Sequence, residues 1–143
     1  MKLLVAVDCS ESTEKVVKKA EEMAKAFSAK IWLLHIAQPE PDFVGFQTGP
    51  QSVRDYVAQK FHGEHSQIQA IAEQLRNTGI DTTALLVQGS TVETILKEAA
   101  KFDVDMIIVG SHGRNRISEL FFGSVSKGVA SKSQYPILIV PTH

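Results

Sequence analysis

Apolar residues along the chain gather into five short runs, at 3–7, 31–36, 84–87, 106–109 and 137–140. Each is of strand length and rich in Val, Ile or Leu, and none alternates with polar residues. A strand with one wet face alternates; a strand buried on both faces does not. The runs therefore predict a parallel sheet covered by helices on both sides. Between them the apolar positions change to a spacing of three and four. Val16, Ala20, Met23, Ala24 and Phe27 form one stripe, and Val53, Val57, Phe61, Ile68, Ile71 and Leu75 form a longer one in which Gly63 is a weak point. Ser90 and Glu93 have the spacing of a capping box in front of a third stripe, Val92, Ile95, Leu96 and Ala99. A fourth helix is predicted from about Gly123 to Ser133, with Pro136 barring its continuation. Strand and helix alternate throughout, and right-handed crossovers turn that order into a doubly wound α/β fold.

Two segments fit neither period. Residues 37–51 carry Pro39, Pro41, Gly45, Gly49 and Pro50 and read as a surface loop or lid. Residues 111–122 join the fourth strand to the fourth helix and are too many for a plain connector.

Composition narrows the class. At 143 residues, with 43% hydrophobic and 22% charged residues, the chain suits one domain and excludes disorder and fibrous architectures. A net charge of -1 argues against a sequence-independent grip on nucleic acid. Cys9 is the single cysteine, so no intrachain disulfide forms. The apolar run near Met1 ends at Asp8, too short for a signal peptide, and no run approaches the ~20 residues that span a bilayer. A cytoplasmic protein without membrane insertion is expected.

A doubly wound sheet binds ligands outside the carboxyl ends of its strands, where the strand order reverses. The first strand ends at Asp8-Cys9-Ser10 and the fourth at Gly110-Ser111-His112-Gly113. Gly123-Ser124 opens a helix nine residues later, with Arg114 and Arg116 between. Glycines admit close approach of backbone amides, and a helix start offers free N–H groups to an anion. Phosphate binding is the economical reading. The familiar phosphate motifs are absent: Gly123 and Gly128 have the P-loop spacing, but Val129 stands where its lysine belongs, and the first strand leads into no glycine.

The spacing Gly110-x2-Gly113-x9-Gly123-Ser124 resembles the motif of the ATP-binding branch of the universal stress protein family. Val5 to Asp8 with Ser10, Leu34-His35-Ile36, Leu120 to Val125 and the ending Tyr135 to Val140 extend the resemblance over nearly the whole chain. It implies a five-stranded sheet in the order 3-2-1-4-5, with residues 1–143 forming a single nucleotide-binding domain. It places Asp8 on the ribose or the adenine edge, Ile36 against adenine through its backbone, and Ala6, Val7 and Val109 as apolar walls. Gly110, Gly113, Gly123, Ser124 and Val125 would cradle the phosphates, with Arg114 nearby. ATP is the implied ligand, with Mg2+ or Mn2+ carried on its phosphates. Cys9 departs from the family, which more often has Gly or Phe there. In the implied strand order the fifth strand is an apolar edge, which predicts a homodimer through Ile137–Val140.

Plainer roles compete at several positions. Asp8 suits the start of the first helix. His62 and His65 share a metal-like spacing but lie on a helix surface without further ligands. His112 suits a turn, Cys9 a half-buried thiol, and Phe121 and Phe122 packing beneath the loop. The leading function is a nucleotide-binding regulatory protein that acts through a protein partner. The first alternative is a slow ATPase or a protein that autophosphorylates at Ser111 or Ser124; the glycine region supplies Ser and His but no acidic base. A response-regulator receiver is excluded, because its phosphoacceptor aspartate and its lysine are replaced by Val87-Gln88-Gly89 and Pro141-Thr142.

Overall fold

The computed structural model describes residues 1–37, 51–112 and 123–142, and of residues 51–62 only the helical path. Among the described residues nine elements follow in strict alternation: β1 (Lys2–Val7), α1 (Thr13–Phe27), β2 (Lys30–Ala37), α2 (Gln51–Asn77), β3 (Thr82–Gln88), α3 (Thr91–Phe102), β4 (Met106–Gly110), α4 (Ser124–Lys132) and β5 (Ile137–Val140). All pairings are parallel, in the order β3-β2-β1-β4-β5. The order reverses between β1 and β4, where Leu3, Leu4 and Val5 lie opposite Met106, Ile107 and Ile108.

Because the side chains of a strand alternate between faces, each strand feeds two cores. Leu3, Val5, Ile31, Leu33 and Ile108 meet Val16, Ala20 and Ala24 of α1 and Ile68, Ala72 and Leu75 of α2. Leu4, Leu34, Ile107 and Val109 meet Ile95 and Ala99 of α3 and Val129 of α4 on the other side. Most are wholly shielded, and each large aliphatic chain so buried contributes ~1.5–3 kcal/mol. This double burial is why the strands read as unbroken apolar runs.

The structure corrects some expectations. Every strand but β5 runs beyond its apolar run, and β3 most of all, taking in Thr82, Thr83 and Gln88. α2 passes through Gly63 unbroken. Phe27 does not join the core stripe: it lies in the last turn of α1 and is 49% exposed. Ser90 occupies the N-cap of α3 with extended backbone, but its side chain makes no capping bond. The helix ends carry a signal that apolar spacing does not show: Ser28 and Asp103 close α1 and α3 in the left-handed conformation, at φ 51° and 49°. The loop expected at 37–51 lies outside the described residues apart from its ends.

At the amino end of the sheet Trp32 stacks on Phe102, centroids 3.9 Å apart, with the Lys30 ammonium 4.3 Å from the Trp32 ring centre. The stack ties β2 to the end of α3, far from the carboxyl ends of the strands.

Candidate functional site

At the switch point the chain leaves β1 through a tight local turn. Asp8 Oδ1 accepts from the Ser10 amide at 3.0 Å, from the Ser10 hydroxyl, and from Thr13 Oγ1 at 3.4 Å. Ser12, not Asp8, is the N-cap residue of α1. Cys9 sits at φ 59°, a conformation glycine adopts freely and other residues reach at a cost of about 1 kcal/mol. It is half-buried against the α1/α2 core. Next to this turn, buried His35 reaches across from β2: Nδ1 lies 2.9 Å from the Val7 carbonyl oxygen, and Nε2 lies 3.1 Å from Glu64 of α2.

The exit from β4 is held from further away. The Ser111 amide donates to the Val140 carbonyl at 2.8 Å, extending the ladder with β5. The Ser111 carbonyl accepts from the Gly123 amide at 2.6 Å and from Ser126 Oγ at 3.1 Å. These bonds fasten the start of α4 to the end of β4. The Gly123 N–H is thereby used by the fold. The next three amides, of Ser124, Val125 and Ser126, lie in the first turn of the helix and have no partner within it. Ser124 is exposed at the first helical position, whereas Ser111 is only 1% exposed with its hydroxyl engaged by the protein. Of the two serines considered as phosphate acceptors, only Ser124 is presented outward.

The glycines have distinct jobs. A Cβ on Gly110 would come within 3.1 Å of Thr142 Cγ2 and 3.2 Å of Val16 Cγ2, so its bareness serves packing of the protein on itself. A Cβ on Gly128 would lie 2.8 Å from Val92 Cγ2, so the second glycine of the P-loop-like spacing lets α3 and α4 approach. Gly113 and Arg114, like Arg116, Phe121 and Phe122, lie outside the described residues.

The apolar candidates divide by face. Ala6, Ile36, Val109 and Val125 belong to the α3/α4 side, with Ala6, Ile36 and Val125 half-buried. Val7 points the other way, into the α1/α2 core, and gives the crevice only its backbone. Sequence reasoning missed Ser12, Ser126 and Thr142, all buried and all bonded to the Ser111–His112 segment. Their hydroxyls were the available signal, but such small polar residues carry no period. His65 is exposed on α2, and the His62 side chain lies outside the described residues. Among the described residues no group of three or more His, Cys, Asp or Glu side chains is placed to hold a metal ion. No helix among them is long and apolar enough to cross a membrane.

A doubly wound parallel sheet with a helix start fastened at its switch point defines an α/β fold of the kind that takes ligands at strand carboxyl ends. The universal stress protein family matches residues 1–141, and the chain belongs to it. The stress response protein NhaX of Bacillus subtilis is 30% identical, over 97% of this chain and 96% of its own. The solved structure of MJ0577, a universal stress protein of Methanocaldococcus jannaschii, superposes with a TM-score of 0.83 at 27% identity, covering 99% of this chain and 96% of that one. An Archaeoglobus fulgidus universal stress protein in complex with dAMP shares the fold at TM-score 0.66 and 19% identity, covering 98% of this chain and 97% of its own. A universal stress protein in complex with cAMP shares it at TM-score 0.68 and 23% identity, covering 100% and 98%.

Proposed function

We propose that residues 1–143 form one domain that binds ATP at the switch point and acts as a regulatory protein through partners. The observation that carries this reading is the start of α4: first-turn amides with no acceptor within the helix and an exposed serine, fixed beside the end of β4. Such a terminus favours a polyanion through its N–H groups and its dipole. Half-buried Ala6 and Ile36 offer an apolar surface to a base, and Asp8 an anionic group to a ribose. The fold shared with proteins seen holding cAMP and dAMP accommodates an adenine nucleotide. Mg2+ or Mn2+ would enter on the phosphates, which supply the negative charge it needs.

Calorimetric titration tests the reading. ATP binds the wild-type chain; Gly123→Val lowers its affinity at least tenfold by crowding the helix start, with the circular dichroism unchanged. Asp8→Ala weakens ATP and adenosine alike. Wild-type affinity in both variants would refute the site. Beside binding, the half-buried edge strand β5 supports a homodimer through Ile137–Val140. Sedimentation then reports a dimer for the wild type and a monomer for Ile139→Lys; a wild-type monomer at micromolar concentration disproves it.

A further inference from the structure

Thr142 follows β5 and lies one residue beyond the stretch that matches the family. It is only 1% exposed, and among the described residues its hydrogen bonds converge on one dipeptide. The Thr142 amide donates to Ser111 Oγ at 3.1 Å, and Thr142 Oγ1 accepts from the His112 amide at 3.2 Å. The same hydroxyl donates its one hydrogen to the His112 carbonyl at 3.2 Å, and Ser111 Oγ lies 3.3 Å from it. The Thr142 hydroxyl gives once and accepts from the His112 N–H, while the Ser111 oxygen accepts from the Thr142 N–H and lies 3.1 Å from His112 Nδ1.

The other side of Ser111 holds the ligand-facing element. Its carbonyl takes the Gly123 amide and Ser126 Oγ, so the plane of the 111–112 peptide sets where α4 begins. The Thr142 methyl lies 3.1 Å from where a Cβ on Gly110 would stand. Thr142 is thus bonded to one face of the dipeptide whose other face carries the helix start. Hydrogen bonds in a site this dry are strong when complete, and a missing partner costs the full desolvation of the group left over.

We propose that Thr142 is the positioning residue for the phosphate end of the crevice: its hydroxyl holds Ser111–His112 so that the first amides of α4 stay aimed at the ligand. The inference rests on the nucleotide-binding reading above and adds a residue to it. Thr142→Val keeps the methyl shape and removes the hydroxyl, and Thr142→Ser does the reverse. With the wild type, Thr142→Val and Thr142→Ser each titrated with ATP and with adenosine, Thr142→Val is expected to lose about tenfold in ATP affinity. It should keep adenosine affinity, and Thr142→Ser should restore ATP binding. Hydrogen exchange of the ligand-free proteins should show faster exchange at the His112 and Gly123 amides in Thr142→Val alone. A merely structural role would weaken both ligands together, and that result overturns the proposal. So does ATP binding by Thr142→Val at wild-type strength, which leaves the nucleotide reading standing. A wild type that binds neither ligand removes the nucleotide reading itself.

Discussion

The turn after β1 closes largely on nearby residues: Asp8 is bonded to Ser10 two positions on and to Thr13 five positions on. The segment after β4 closes on residues far along the chain, with Ser111 bonded to Ser126 fifteen positions away and to Thr142 thirty-one away. Both lie at the switch point, yet the first draws mainly on neighbouring residues, with Ser12 reaching across to the His112 carbonyl, and the second exists only once α4 and β5 are in place. A local turn is forgiving, because losing one bond leaves the rest of it folded and water at hand. A buried long-range clasp is not, because each group removed strands a partner away from solvent.

Three substitutions put that contrast to the test. The largest loss is expected from Gly110→Val, which forces a branched side chain against Thr142 and Val16; overpacking of this kind costs ~1–3 kcal/mol. At about 2–4 °C per kcal/mol for a chain near this size, calorimetry should record a clear fall in melting temperature. Ser111→Ala comes next, at about 1–2 kcal/mol in urea unfolding, since it leaves the Thr142 amide without its acceptor. Ser10→Ala should be the mildest, at about 0.5–1 kcal/mol, because the bonds it loses are only part-buried. Equal losses at Ser10 and Ser111 would erase the distinction between the two segments.

The same contrast explains what could be read in advance. Five strands were legible because double burial leaves a dense apolar run with no polar alternation to blur it. Their ends were less so: Thr82 and Thr83 extend β3 because β-branched residues suit a strand, but they carry no apolar mark. The stripe of α1 failed at Phe27, where the helix outruns the sheet it packs on. The Ser90–Glu93 spacing located the start of α3 correctly, yet spacing alone does not decide whether a hydroxyl turns inward. The helix start at Gly123-Ser124 was visible through its glycine. Its fastening was not, for Ser12, Ser126 and Thr142 matter through partners 100, 15 and 30 residues away. Gly110 and Gly128 carry a packing role that spacing does not show: a Cβ there would meet Thr142 and Val16, and Val92, respectively.

The stack of Trp32 on Phe102 has a practical outcome. Trp32 is the single tryptophan of the chain, so all indole emission comes from one place, at the edge of the α3 core and at the far end of the sheet from the crevice. Its signal follows the parting of α3 from β2. The protein thereby carries an internal optical gauge of folding placed away from the strand carboxyl ends. A melt followed at that wavelength separates variants that damage the scaffold from those that only disarm the crevice, with no label attached.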